Sequence, residues 1–210
     1  TPLYSSAASD VYKRQQLDAQ GIILDVEERR NRIRAEVEAL ATEVGGDAEM
    51  EPALLAEVAN LVEAPRALRG AFNPAHLELP REALVSVMKK HQRYIPVVAE
   101  GSGEARPLMP YFIAVRNGDD QGMDLVVEGN EHVIRARFAD AAYFVREDLE
   151  QPLEAYLPKL DRLTFQAHLG SMLDKTRRLE QLVDDVGTQI GLTGEELAHT
   201  RRAARLAKAD

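Results

Sequence analysis

The chain has 210 residues, of which 45% are hydrophobic, and it carries a net charge of −9 and no cysteine. This length and composition favour one large or two small folded domains, and they exclude disulfides, thiolate nucleophiles and cysteine-ligated zinc. No apolar run approaches 18 residues, so we expect no membrane span, and the lack of cysteine fits a reducing cytoplasm. The negative charge also excludes a basic surface extending over the whole chain.

The charge is distributed unevenly along the sequence. Residues 16–63 contain 12 acidic and 4 basic residues, whereas residues 88–180 contain 15 acidic and 13 basic residues. Contacts with phosphate act over roughly a Debye length of 8–10 Å, so a local basic patch is sufficient for them. Any RNA contact is therefore expected in the later part of the chain.

The first 15 residues, TPLYSSAASDVYKRQ, show no periodicity and join the remainder of the chain abruptly. They are typical of a non-native read-through string or of a disordered tail, and we expect no function there. Residues 16–63 instead predict an acidic helical section. Asp25 and Glu28 form a capping-box pattern for a first helix that ends at Gly45-Gly46, and a second helix runs from Pro52 to Pro65.

Residues 64–150 predict a small α+β domain. A short helix is expected from Arg81 to about Gln92, followed by β-favouring runs at residues 94–99 and 111–115. The segment GSGEARP between these runs supplies turn residues, which indicates a hairpin-like loop. Pro96 cannot donate a backbone hydrogen bond, so we expect the first run to be an edge strand.

Residues 151–210 predict a helical segment that continues the helix expected from about Gly122. Apolar residues recur at helical spacing, and Gly191 is expected to end the longer helix. Thr193 with Glu196 forms a capping-box pattern for a last helix. This helix reaches Asp210 with no C-terminal signal, from which we expect a truncated chain. The expected fold class is α+β and predominantly helical.

No motif for catalysis is visible. The sequence lacks both glycine-rich nucleotide-binding patterns and the paired-histidine metal motif HExxH, and its carboxylates form no pair suited to acid–base work. The five histidines are scattered, which does not favour a three-ligand metal site. We predict no catalytic residue and no metal site.

Basic residues instead suggest two clusters of candidate RNA contacts. In MKKHQRYIPV, Lys89, Lys90, His91 and Arg93 fall at a helix C-terminus beside a tyrosine that could stack on a base. Compensation of the helix dipole by basic residues is the more favoured explanation of that cluster. A third basic cluster, Lys175 to Arg178, is more typical of a solvated helix face.

The run EGNEHVIRARFADAAYF forms the second candidate. Asn130 could cap a helix there, with Glu131 pairing with Arg135, and Arg137 pairing with Asp140. The two arginines suit either internal ion pairs or RNA phosphates, and the sequence does not separate these alternatives. Arg116, in YFIAVRN, completes the set of candidate RNA contacts.

Four long, irregular segments carry a resemblance to a known family. In chain order they are LPREALVSVMKKHQRYIPV, YFIAVRN, VEGNEHVIRARFADAAYFVREDL and LTFQAHLGSMLDKTRRL. Over about residues 16–210 the chain resembles the middle of the β subunit of bacterial tetrameric (α2β2) glycyl-tRNA synthetase. The chains of that family are on the order of three times longer, and chance is a poor explanation of such irregular motifs. The resemblance therefore implies an internal fragment.

The resemblance implies a cytoplasmic α2β2 enzyme that uses ATP to join glycine to tRNA. It also implies that ATP is bound mainly by the partner α subunit, that the β subunit binds tRNA, and that this fragment has no complete active site. Residues 67–148 would match part of a tRNA-binding domain similar to one in the β chain of phenylalanyl-tRNA synthetase. The helices from about Leu169 would begin a domain resembling HD phosphohydrolases, in which Ala209 stands where a metal-binding histidine is expected.

Two alternatives remain beside tRNA binding. The acidic helices between Asp25 and Val62 could form a structural module at the contact with the α subunit. The last helices could belong to a degenerate relative of the HD-type metal phosphohydrolases, although alanine cannot ligate a metal.

Overall fold

A computed structural model describes residues 4–101 and 106–209, and the chain divides into two compact units between Val145 and Arg146. The fold is α+β and predominantly helical, as the sequence predicts. Within the described residues, no helix is both long and apolar enough to cross a membrane. Part of the predicted GSGEARP loop, residues 102–105, lies outside the described residues.

The described residues of the first unit form five α-helices and a sheet. The signals that begin them are local: the Asp25 side chain accepts a hydrogen bond of 2.9 Å from the Glu28 backbone N–H, and Pro52 occupies the first turn of the third helix. The helices are α1 (Tyr4–Ala19), α2 (Val26–Thr42), α3 (Pro52–Leu61), α4 (Arg81–Ser86) and α5 (Met123–Leu149). Helix α4 continues as a π-helical segment (Val87–Gln92), and the last residues of α5 belong to the second unit. A 3-10 helix (Pro74–Glu78) lies before α4.

The sheet of the first unit has four antiparallel strands in the order β1-β3-β4-β2. These are β1 (Gly46–Ala48), β2 (Pro65–Ala71), β3 (Ile95–Ala99) and β4 (Leu108–Asn117). Successive side chains of β4 point to opposite faces, so Phe112 and Ile113 enter different hydrophobic clusters. One face is covered by α2 and α3, and the other by α4, the π-helical segment and α5.

One expectation for the sheet is wrong, and two of its strands were not predicted. Pro96 does not lie on an edge strand, because β3 is flanked by β1 and β4. The pairing of β3 with β4 shifts register between Pro96 and Val98, and such an irregularity accommodates a residue that cannot donate to the ladder. The strands that the sequence did not predict are β1 and β2. Strand β1 lies inside the section predicted as helical, and β2 contains a proline, two arginines and a glycine, which are unusual in a strand.

The second unit is built from short elements and two helices. A 3-10 helix (Leu153–Arg162) is followed by a two-stranded hairpin, β5 (Thr164–Gln166) and β6 (Gly170–Ser171), and then by α6 (Met172–Gln189) and α7 (Gly194–Leu206). The prediction of continuous helix through residues 150–171 is therefore wrong. The buried apolar cluster of this unit contains Leu157, Leu160 and Ala209.

Two local predictions, both of helix caps, need correction. Asn130 lies inside α5 and caps no helix, because α5 begins seven residues earlier, at Met123. Thr193 is the N-cap of α7, but its side chain makes no capping hydrogen bond, whereas Ser171 and Asp174 form a capping box at α6. Residues 4–15, which belong to the segment set apart as a non-native string or a disordered tail, lie in α1 together with residues 16–19. Gly191 follows the last turn of α6, as predicted, with a φ of 81°.

Candidate nucleic-acid interface

Lys89 is held inside the first unit by acidic partners. Its Nζ lies 2.9 Å from Glu49 Oε1 and 2.7 Å from Glu51 Oε1, and its side chain is only 11% exposed. Arg81 also pairs with Glu49. The charge of Lys89 is therefore matched within the fold, and this lysine is the least accessible of the candidate contacts.

Lys90 and His91 follow Lys89 and are exposed to solvent. Neither side chain has a hydrogen bond or ion pair with another residue in the part of the chain that the structure describes. Lys90 and His91 consequently present donors that an external partner could use.

Arg93 ends the π-helical segment in a left-handed backbone conformation, with a φ of 56°. Its backbone N–H donates to the carbonyl of Lys89 at 3.2 Å, and the next N–H, of Tyr94, donates to the carbonyl of Met88 at 2.9 Å. Among the described residues, it is the only non-glycine residue with a positive φ. This conformation costs an ordinary side chain roughly 1–2 kcal/mol.

Arg135 and Arg137 are exposed on α5, and the predicted ion pairs do not form. Glu131 instead accepts a hydrogen bond of 2.8 Å from the backbone N–H of Ala71, at the end of β2. Within residues 4–101 and 106–209, neither arginine has an ion pair or hydrogen bond. Residues two apart are separated by about 200° around a helix, so the two guanidinium groups leave α5 on different sides.

A cleft of about 370 Å³ brings two candidate arginines together in the first unit. Arg93 lies at the end of the π-helical segment, and Arg116 is near the end of β4, on the same strand face as Phe112 and Ala114. The cleft is completed by polar groups of Gln92, Tyr94 and Asn130 and by apolar side chains of α3, the sheet and α5, among them Leu61, Val62 and Val126.

Both arginines of the cleft have partners that are themselves exposed. Arg93 Nε donates to Glu57, whose side chain is 49% exposed, and Arg116 donates to Asp119, whose side chain is 66% exposed. Arg116 also donates to the backbone carbonyl of Gln121 at 2.8 Å. Exposed ion pairs contribute only about 0–1 kcal/mol to the stability of the fold, so a bound anion could replace the carboxylates of Glu57 and Asp119 as the partner of each arginine.

Tyr94 and Asn130 contribute polar groups to the lining of this cleft. The Tyr94 hydroxyl donates a hydrogen bond to Asn130 Oδ1, and Asn130 Nδ2 donates one of 2.7 Å to the carbonyl of Val126. The Tyr94 ring stacks on Phe112 with centroids 4.6 Å apart. Burial raises the pKa of Tyr94 above its ordinary value of 10.0, so the phenol stays protonated and remains a hydrogen-bond donor.

The two other sites considered from the sequence, a metal site and the basic cluster at residues 175–178, are less suited to binding a ligand. No cluster of three or more potential metal ligands occurs in the ranges that the structure describes, and Ala209 is buried in the small core of the second unit. In the cluster at residues 175–178, the ammonium of Lys175 lies 3.9 Å from the centroid of the Phe165 ring, and Arg177 lies 3.5 Å from Asp174.

Comparisons with known proteins confirm the family resemblance that the four sequence segments indicated. Residues 5–210 match the family described as glycyl-tRNA synthetase beta subunit, and this match includes most of the first 15 residues, which were expected to lie outside the resemblance. The glycine–tRNA ligase beta subunit of Clostridioides difficile strain 630 is 45% identical over 196 residues, which are 93% of this chain and 28% of that protein.

Two further relatives give the same result. The glycine–tRNA ligase beta subunit of Trichodesmium erythraeum is 43% identical over 90% of this chain and 26% of that protein. The corresponding protein of Moorella thermoacetica is 43% identical over 93% of this chain and 28% of that protein. The chain thus spans about a quarter of the length of the curated relatives that it matches.

Proposed function

Because the chain belongs to the glycyl-tRNA synthetase beta subunit family, we propose that it contributes tRNA binding to the ATP-dependent joining of glycine to tRNA. In this proposal the chain works with the α subunit, which binds ATP, and contributes no catalytic residue of its own. Its role is to hold the RNA in position through phosphate contacts, which orient a nucleic acid without reading its sequence.

The observation that carries the proposal is the presence of unmatched positive charge in an acidic protein. Lys90, Arg135 and Arg137 are exposed, and no acidic side chain neutralises them within the described residues. By contrast, Lys89 and Arg93 are paired with glutamates. Unpaired arginine and lysine side chains can contact phosphate without first giving up an internal partner.

A titration of labelled tRNA with the 210-residue chain tests this proposal. We expect Lys90→Ala, Arg135→Ala and Arg137→Ala each to weaken binding at low salt, while thermal unfolding stays unchanged. Arg32→Ala is the matched control, because it removes the same charge from an exposed arginine of α2 that is already paired with Glu36. Equal effects of all four substitutions would show only a response to net charge and would contradict the assigned contacts.

A second candidate role, assembly with the α subunit, is favoured by an apolar groove in the second unit. The groove has a volume of about 350 Å³ and lies between α6 and α7. Leu182, Val186 and Ile190 line it and are each more than half exposed. Exposed apolar surfaces of this kind are typical of contacts with another protein.

The two roles can be separated with one variant of the groove. Val186→Asp places a charge in the apolar lining and is expected to abolish co-purification with the α subunit, while tRNA binding by the isolated chain is unchanged. Asp185→Asn, at the neighbouring exposed position, is the control. Retained co-purification of Val186→Asp would rule out this groove as the contact with the α subunit.

A further inference from the structure

We propose that the cleft between the end of the π-helical segment, β4 and α5 binds one nucleotide, with Arg93 and Arg116 on its phosphate and the apolar wall against its base. The inference deepens the proposed role in tRNA binding and rests on it only for the source of the nucleotide. The cleft volume of about 370 Å³ falls in the range of small-molecule sites, roughly 300–1,000 Å³.

The two guanidinium groups have donors to spare. Arg93 makes one hydrogen bond through Nε, and Arg116 makes two, whereas each guanidinium carries five N–H donors. Hydrogen bonds from a guanidinium to a phosphate are charge-assisted, which makes them about twice as strong as neutral ones, and they are frequently bidentate. The exposed carboxylates of Glu57 and Asp119 are therefore competitors that a phosphate can displace.

The rest of the lining suits an aromatic base. Leu61, Val62 and Val126 supply apolar surface, and an arginine plane can stack on a base. Gln92 places an amide at the same cleft, and the Tyr94–Asn130 pair adds a second polar group. Unpaired bases are recognised by this combination of apolar contact and hydrogen bonds to their edges.

The backbone of Arg93 gives independent support. A glycine would adopt its φ of 56° without steric cost, so the side chain at this position is present at the expense of stability. Residues held in such conformations cluster at binding sites, and π-helical segments within helices show the same tendency. Both features occur here in the lining of one cleft, to which Gln92 and Arg93 belong.

Calorimetric titration of the 210-residue chain with adenosine 5′-monophosphate tests the site. Arg93→Gly removes the guanidinium and relieves the backbone, so we expect about tenfold weaker binding with an equal or higher melting temperature. Glu57→Ala frees Arg93 from its carboxylate and is expected to tighten binding about two- to fivefold. Arg32→Ala should leave the affinity unchanged.

Three results would overturn the nucleotide site. These are an absence of binding, equal affinity for inorganic phosphate and adenosine 5′-monophosphate, and an equal loss in Arg32→Ala and Arg93→Gly. A single-stranded tetraribonucleotide identifies the source: competition at lower concentration than the monophosphate indicates an RNA nucleotide, and its failure to compete indicates a free one.

A parallel titration with tRNA keeps the two proposals distinct. If tRNA binds wild type and Arg93→Gly equally, the cleft is not part of the RNA contact, and the proposed function survives without it. If adenosine 5′-monophosphate binds with the expected sensitivity to Arg93→Gly but tRNA does not bind, the nucleotide site stands and the tRNA-binding role of this chain is wrong.

Discussion

Lys89 and Glu49 form an ion pair of 2.9 Å that joins the π-helical segment to the residue immediately after β1. Glu49 also donates its backbone N–H to the carbonyl of Pro96 at 2.8 Å, which extends the pairing of β1 with β3. Arg81 contacts the same carboxylate from the first turn of α4. Glu49 therefore connects the end of β1 both to the start of α4 and to the π-helical segment that follows α4.

Lys89→Ala is expected to destabilise the first unit because it leaves Glu49 without its lysine partner. Breaking a buried pair costs about 3–5 kcal/mol, and the partial exposure of Glu49 and Glu51 reduces our expectation to about 1–3 kcal/mol. Urea denaturation followed by circular dichroism measures this loss. The control is Lys90→Ala, an exposed neighbour that should change stability by about 0.5 kcal/mol or less. Similar midpoints for the two variants would contradict a structural role for Lys89.

The contribution of Glu49 to stability is expected to depend on pH. Burial disfavours its ionised form, but hydrogen bonds and charges from Lys89 and Arg81 outweigh that effect and lower the pKa of Glu49 below 4.5. A carboxyl whose pKa is lower in the folded than in the unfolded state stabilises the fold above the unfolded value. This stabilisation is lost as the pH falls through the folded value.

Urea midpoints of wild type and Glu49→Gln, measured at several pH values, check this expectation. The wild type should be more stable near neutral pH, and the difference should shrink as the pH falls below about 4.5. Glu38→Gln, on the exposed face of α2, is the control and should show no such trend. A difference that persists unchanged to low pH would mean that the charge of Glu49 is not what stabilises the fold.

The sequence predicted those elements whose signals lie within a few residues. The start of α2 follows from Asp25 and Glu28, and the end of α6 follows from Gly191, because capping is a local interaction. It did not predict β2, which exists through pairing with β4, from Pro65 with Asn117 to Ala71 with Tyr111. Strand formation in such a segment depends on tertiary partners more than on intrinsic propensity.

The candidate site was predictable to a similar extent. The sequence drew attention to Lys89, but its partners lie 38 and 40 residues earlier, so the pairing that removes it from the surface is visible only in the fold. The left-handed backbone of Arg93 has no sequence signal, because arginine rarely adopts it. Arg93 and Arg116 were both named as candidates, but their meeting in one cleft depends on the register of the sheet.

Gly70→Ala is expected to destabilise the first unit because β2 passes directly over an aromatic ring. A Cβ at this position would collide with the ring of Phe112, which is fully buried and cannot move away. Overpacking of this kind costs about 1–3 kcal/mol. The matched substitution Gly129→Ala lies in α5 with open space around it, and it should stabilise the protein by about 0.5–1 kcal/mol. Thermal unfolding of both variants should therefore shift in opposite directions.

Ser171→Ala is expected to weaken the start of α6. The Ser171 hydroxyl accepts from the backbone N–H of Asp174 at 3.2 Å, and the Asp174 carboxylate accepts from the backbone N–H of Ser171 at 2.9 Å. The loss of an N-cap side chain costs about 0.5–2 kcal/mol. Thr193→Ala is the control, since its side chain makes no capping hydrogen bond at α7. Hydrogen exchange of the first turns of both helices should show faster exchange only in Ser171→Ala.

The slope of log affinity for tRNA against log salt concentration is expected to report how many phosphate contacts α5 makes. Each neutralised phosphate contributes about −0.9 to the slope of log affinity against log salt on duplex RNA segments, by analogy with B-DNA. Arg135→Ala and Arg137→Ala should each make the slope shallower by about that amount. Because the two side chains leave α5 on different sides, their effects should add in the double variant.

Arg32→Ala provides the reference slope, because that arginine is paired with Glu36 on α2 and has no assigned phosphate. A slope that falls equally in Arg32→Ala would indicate a diffuse electrostatic attraction instead of defined contacts. If only one α5 variant changes the slope, the RNA contacts a single side of the helix. The arginine on the other side would then be available to a different partner. Repeating the salt titration with the α subunit present would show whether that partner is the α subunit.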